Sequence, residues 1–276
     1  MTTQRLTTPP HWSDLLKTAL ELPGQAGNTY NRFRRFSLGN QALLMMQGLA
    51  EPVNTYKGWL ALGRQVKKGS RAKAIYVPMF RKELNENGEK EERLTGFKLV
   101  PSIFGVSETD GDDLPAYEPP HWSKERAMQK LKIVQVSYES LDGNSQGYSV
   151  GRQFAVSPVA VFPFKTTLHE LSHIVSGHTT PDELAEYQSH RGLKEFEAEG
   201  SAYLLMNELG ATEQFSAAES RDYLQTWLQG EEPPESSIKR VFSTADKIYR
   251  AGLEEQEGDE PDAQRNLDTS GQLQAA

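Results

Sequence analysis

Two stretches of the chain combine residue types and spacings that could hold a metal ion and activate a water: His169-Glu170-Leu171-Ser172-His173 and Glu195-Phe196-Glu197-Ala198-Glu199. On a helix, residues 169 and 173 lie one turn apart with Cβ atoms ~5–6 Å from each other, so both imidazoles reach one ion. Glu170 then stands beside the open coordination position. Neutral imidazoles bind a divalent ion without cancelling its charge, and a neighbouring carboxylate can take a proton from the polarised water. That is the His-Glu-x-x-His logic of zinc hydrolases.

Two imidazoles do not complete a site, so a third ligand is expected from a later helix, and residues 193–209 have the pattern of one. Glu195 and Glu199 share a face there. Glu197 lies ~200° round from Glu195, at ~100° per residue, and points elsewhere. Two registers are open. In the preferred one Glu195 is the ligand and Glu199 accepts a hydrogen bond that orients a ligating ring; in the other the two exchange roles. The expected cofactor is Zn²⁺, one per chain. His178 follows His169 by nine residues, one short of metzincin spacing, and is assigned as a helix-cap or surface histidine. Tyr187, His190 and Tyr203 are unranked candidates for assisting the oxyanion or the leaving group.

The elements that must position these groups follow from periodicity. Leu168, Leu171 and Val175 give the first helix an apolar stripe, and Gly177 can end it. Before it come a helix over 124–131, strands near 133–138 and 153–156, and a Gly-rich turn over 142–147. After it come amphipathic helices around Tyr223 and Trp227 and over 238–249. A helix, a small sheet and then the metal helix are the minimum order of a zincin domain. Upstream, helices are expected over 10–22 and from Ser37, with a helical turn around Trp59. A strand over 73–80, a hairpin loop at Asn87-Gly88 and strands over 96–100 and 102–106 follow, with a bulge at Pro101. Residues 109–120 read as the linker. The expected class is α+β with two domains, 1–118 and 119–253, and a disordered acidic tail over 254–276.

The chain has 276 residues and no cysteine, which excludes disulfides, cysteine-based zinc sites and thiol nucleophiles. Its densest apolar run, 42–46, is far below the ~18 residues of a membrane span, and no leader pattern opens it, so a cytoplasmic protein without a membrane partner is expected. The net charge of −8 conceals an asymmetry. Residues 30–82 hold eleven Lys or Arg and one acid, Glu51, whereas residues 181–260 hold nineteen acids and seven bases. A basic half in an acidic chain points to a polyanion. Arg34, Arg35, Trp59, Arg64, Lys67, Lys68, Arg71 and Lys73 are the candidates for a single-stranded DNA surface, the cations for phosphates and Trp59 for stacking. The competing reading makes the rings core and the charges a solvated face; for Phe33, Phe36, Tyr76 and Phe80 the packing reading is preferred.

The chain resembles the ArdC-type antirestriction proteins of plasmids and phages. The resemblance rests on the order of RFSLGNQALLMMQG (35–48), YKGWLALGRQVKKGSRAKAIYVP (56–78), FKLVPSIFGVSETDGDDLP (97–115), LHELSH (168–173), EFEAEGSAYLLMNELG (195–210) and YLQTWL (223–228). It implies a small mixed helix and sheet domain that binds single-stranded DNA, joined to a gluzincin-like metallopeptidase domain, and protection of incoming plasmid or phage DNA from host restriction. It also implies His169, His173 and Glu195 as ligands and Glu170 as the base. Two other functions stay open: a DNA-binding protection protein whose metal site is not catalytic, and a metallopeptidase that cleaves a regulatory protein.

Overall fold

The computed structural model describes residues 6, 8–21, 29, 30, 32, 36–84, 90–139, 145–180, 187–229 and 233–254, an α+β arrangement in two compact units. Arg34, Arg35, Phe33, the Asn87-Gly88 loop and residues 255–276 lie outside the described residues.

One unit takes the described residues within 1–10 and 27–118. Strands β1 (Val53–Thr55), β3 (Lys73–Leu84) and β4 (Lys90–Gly105) form an antiparallel sheet in the order β1-β4-β3, while β2 (Arg64–Val66) pairs with β5 (Thr109–Gly111). The two strands expected around Pro101 are one. Pro101 pairs with Ala74 beside a register shift between Lys73 and Ala74, so the missing N–H interrupts the ladder without ending the strand. The segment expected to be linker gives its first three residues to β5. Helix α2 (Leu38–Met46) is capped by Ser37, whose hydroxyl accepts from the Asn40 amide. Its side-chain amides serve the outer strand β3. Asn40 accepts from the Tyr76 amide at 2.7 Å and donates to the Tyr76 carbonyl at 3.0 Å. Gln47 does the same for Ala74, at 2.8 Å in both directions. Backbone groups that an edge strand would leave unpaired are thereby satisfied.

Trp59, in the short helix α3 (Tyr56–Ala61), is fully buried, and its indole N–H donates to the Phe104 carbonyl at 3.0 Å. The ring expected to stack on bases is core. Phe36 and Tyr30 are also buried, whereas Phe80, assigned to packing from its spacing, is 41% exposed.

The second unit spans residues 11–26 and 119–254. Helix α1 (Trp12–Glu21), assigned to the first domain by its position in sequence, belongs here; Trp12 packs edge-on against Phe242 with ring centroids 5.7 Å apart. Helix α4 (Lys124–Leu131) precedes a sheet of β6 (Val134–Gln135), β7 (Gly147–Val150) and β8 (Gln153–Val156). Strand β8 is central, parallel to β6 and antiparallel to β7. The helices α5 (Pro163–Ser176), α6 (Tyr187–Glu208), α7 (Ala217–Gln229) and α8 (Glu235–Gly252) complete the unit. Residues 196–206 of α6 are all buried, so this helix is the axis of the unit rather than an amphipathic surface helix. Gly200 permits the approach of α8: a Cβ there would lie 3.0 Å from Val241 Cγ1. Burying α6 on every side also buries Glu197 and Glu199, and buried carboxylates need partners.

Candidate metal centre

Helix α5 starts with Pro163 at its first turn and ends at Gly177, whose φ of 87° is left-handed and costs glycine little. Between these stops His169 and His173 project from one face toward Glu195 of α6. His169 Nε2 and His173 Nε2 are 3.2 Å apart, and Glu195 Oε2 lies 3.4 Å from the first and 3.7 Å from the second. An ion held tetrahedrally at about 2.0–2.1 Å from its donors sets donor–donor separations of roughly 3.3–3.4 Å. Two imidazole nitrogens and a carboxylate oxygen at these distances fit a divalent first-row ion.

Behind the ligand atoms, each ring is held from its far side. His169 Nδ1 is 3.2 Å from Glu199 Oε2, and that carboxylate receives Lys165 Nζ at 2.6 Å and Ser220 Oγ at 2.5 Å. His173 Nδ1 is 3.0 Å from His178 Nδ1, and His178 Nε2 is 2.7 Å from Glu197 Oε2. The assignment of His178 as a cap or surface residue needs correction: its backbone N–H does bond the His173 carbonyl at 3.0 Å, but the ring is 2% exposed and touches a proposed ligand. Glu197 does point away from Glu195, as its angle on the helix requires, and what it faces is His178.

The site opens on a cavity of about 650 Å³ whose lining includes His169, Glu170, His173, Glu195 and residues 146–149 of β7 and its approach. Glu170 is 7% exposed, and among the described residues no hydrogen-bond donor reaches its carboxylate. Gly147 makes room for it, since a Cβ there would lie 3.2 Å from Glu170 Oε1 and 2.8 Å from Thr166 Cγ2. Gly147 closes the stretch expected to be a glycine-rich turn, and it is the first residue of β7. Lys165, Ser220 and Arg240 carry no local signature, because only the packing of α5, α7 and α8 on α6 brings them to the buried carboxylates. Tyr203 is not at the cavity: its hydroxyl donates to the Leu20 carbonyl at 3.0 Å. The side chains of Tyr187 and His190 lie outside the described residues.

Electrostatics follow from the same contacts. Burial pushes His169 down, but hydrogen bonds to Glu195 and Glu199 and the charges of Glu199 and Glu170 outweigh it and raise its pKa to about 9. Burial pushes Glu199 up, yet His169 and Lys165 bring it down to about 2. Burial, with His173 and Arg240 nearby, lowers His178 against the pull of Glu197. At neutral pH His169 therefore holds a proton that an incoming metal must displace. Metal added to chelator-stripped protein near pH 7 is expected to release about one proton per ion from this ring. Apparent affinity should fall about tenfold for each unit of pH below 9. Calorimetric titration in buffers of different ionisation enthalpy measures this, and binding without proton release would contradict it.

In the basic unit the candidate cations are used unequally. Lys73 is buried and paired with Glu108 at 2.5 Å, so it is a structural ion pair and not a phosphate contact. Arg64 is committed to the β5 strand: Nε donates to Thr109 Oγ1 at 2.8 Å, and the guanidinium also reaches the carbonyls of Thr109, Gly111 and Asp112. Lys67 donates to the Ser107 carbonyl at 2.9 Å and lies 3.3 Å from the exposed Asp110. Lys68 and Arg71 are exposed. Among the described residues no helix is long and apolar enough to cross a membrane.

Residues 12–101 match the model of the N-terminal domain of anti-restriction factor ArdC. In fold, the chain is similar to the metal-free crystal structure of the antirestriction ArdC protein from the R388 plasmid. The identity is 15% and the TM-score 0.50, over 87% of this chain and 94% of that one. The Mn(II)-bound structure of the same protein aligns at 17% identity and a TM-score of 0.46, covering 89% and 99% of the two chains. No curated protein matches the chain.

Proposed function

We propose that the chain is an ArdC-type antirestriction protein, a reading supported by the match of residues 12–101 to the N-terminal domain of anti-restriction factor ArdC and by the likeness in fold. In this reading it binds single-stranded DNA through residues 27–118 and carries a zinc peptidase site in its second unit. The observation that carries the enzymatic part is the convergence of His169 Nε2, His173 Nε2 and Glu195 Oε2 on one point beside the buried Glu170. His169, His173 and Glu195 would hold the ion. Bound there, a divalent ion supplies a Lewis acid that polarises a carbonyl and makes a water more acidic.

The chain's own residues do the rest. Glu170 takes a proton from the attacking water and passes it to the leaving amine, a task for which a carboxylate with no hydrogen-bond donor among the described residues is suited. Glu199 fixes His169 with its Nε2 toward the ion. Strand β7 is one of the two outer strands of its sheet and lines the cavity, so its backbone groups can pair with an extended peptide. Tyr148, Val161 and Phe162 in the lining would receive a substrate side chain. A peptide fits this arrangement better than a compact solute, which has no backbone to offer the strand. Peptidase assay of the metal-loaded chain beside its Glu170→Gln variant tests the reading.

For DNA, the surface left by the core assignment of Trp59 consists of Lys67, Lys68 and Arg71 near the β2–β3 turn, with exposed rings at Tyr56, Phe80 and Phe97. Phe97 is 51% exposed and sits edge-on to Tyr76 at 6.5 Å. In the full-length chain, Lys68→Ala with Arg71→Ala should weaken binding of a single-stranded oligonucleotide and reduce the log–log salt slope by about 0.7 for each phosphate no longer neutralised. Phe97→Ala should cost ~1–3 kcal/mol with little change in slope, because stacking releases no counterions. Fluorescence anisotropy across a salt series reads both. Affinity unchanged in all three substitutions would reassign the basic surface to another partner.

A further inference from the structure

We infer that His178 and Glu197 are positioning residues for His173, fixing which of its nitrogens faces the metal. The inference rests on the metal reading above. If His173 is to present a lone pair at Nε2, its hydrogen must sit on Nδ1, and the atom facing Nδ1 is His178 Nδ1 at 3.0 Å. That nitrogen must then be the acceptor. The His178 hydrogen is left on Nε2, 2.7 Å from Glu197 Oε2, and a carboxylate can only accept. One buried carboxylate therefore sets the tautomers of two rings in succession. Arg240 Nη1 lies 3.5 Å from the same carboxylate oxygen and gives this buried group a second partner.

The backbone is built to place the intermediary. Helix α5 ends at the left-handed Gly177, the chain turns back, and the His178 ring comes to lie 5.2 Å from that of His173, centroid to centroid. His169 needs no such intermediary, because Glu199 touches its Nδ1 directly. Three glutamates at alternate positions of α6 thus address three different atoms: Glu195 the ligand cluster, Glu199 the back of His169, and Glu197 the back of His173 through His178. A plain clamp between the end of α5 and α6 would require only that His178 and Glu197 bond each other; the relay also requires a specific direction of donation toward His173.

The test is titration of chelator-stripped protein with Zn²⁺, and separately with Mn²⁺, in the parent, His178→Leu, His178→Gln and Glu197→Leu. Glutamine preserves an acceptor for His173 and a donor for Glu197, whereas leucine preserves neither. His178→Leu and Glu197→Leu should bind about 10–100-fold more weakly, and His178→Gln should recover most of the loss. Leucine and glutamine variants that both bind like the parent, or that lose affinity equally while remaining folded by circular dichroism, overturn the relay. A parent that binds neither ion overturns the metal reading itself. If the leucine variants do not fold, ring-nitrogen NMR of the zinc-loaded parent decides: His173 must carry its hydrogen on Nδ1 and His178 on Nε2, and any other tautomer overturns the inference.

Discussion

Glu170→Gln is expected to keep the fold and the metal while lowering peptide hydrolysis by about 10²–10⁴-fold, the usual contribution of a positioned general base. The substitution is nearly isosteric, and among the described residues the carboxylate has no hydrogen-bond donor to lose. Gly147 leaves room for the amide as it does for the acid. What disappears is proton affinity. Cleavage of an unstructured protein followed by mass spectrometry measures the effect, with metal content determined on the same sample. Activity within tenfold of the parent would remove Glu170 from the mechanism. The same variant separates the two halves of the proposed function in a transformation assay against a restricting host. Protection retained without hydrolysis assigns protection to DNA binding; protection lost while oligonucleotide affinity is intact ties it to the chemistry.

The helix that bears the two candidate histidine ligands is legible in the sequence because its information is local. The spacing of His169 and His173 and the stop at Gly177 are properties of one helix, and helical geometry translates them directly into a shared face. The likeness to ArdC is legible too, and the matched N-terminal domain and the fold bear it out. The fate of the cations is not. Lys73 and Lys68 have the same chemistry five residues apart, and only the pairing of β3 with β4 and the turn bearing Glu108 decides that one is buried and the other exposed. Trp59 is ambiguous for the same reason: an indole is equally suited to stacking on a base and to filling a core. The relay behind His173 has a partial signal, since the helical angle puts Glu197 on the far face from Glu195. Its partner cannot be read, because His178 reaches it only through the turn after α5 and the packing of that turn on α6.

Removing a ligand is expected to give the largest loss of all, since a site with two remaining protein donors holds a divalent ion weakly. Protein purified without added chelator should contain about one zinc per chain, and His169→Ala and His173→Ala should each contain well below that by elemental analysis. Unchanged zinc in both would place the ion elsewhere. The two glutamates are expected to differ in degree. Glu195→Gln removes a charged donor from within 3.4 Å of His169 Nε2 and should weaken binding more than any change behind the rings. Glu199→Gln leaves all three donor atoms in place. Its cost comes from the amide group, since Oε2 now receives both Lys165 Nζ and His169, and Oε1 receives Ser220 Oγ. An amide nitrogen at Oε2 would face two donors, whereas one at Oε1 requires Ser220 Oγ to turn from donor to acceptor; either way the negative charge that holds the His169 ring is lost, an effect of about 10–100-fold on affinity. Should Glu199→Gln prove the more damaging of the two, the roles of the carboxylates are exchanged, and α6 must turn its Glu199 face toward the histidines when the ion binds.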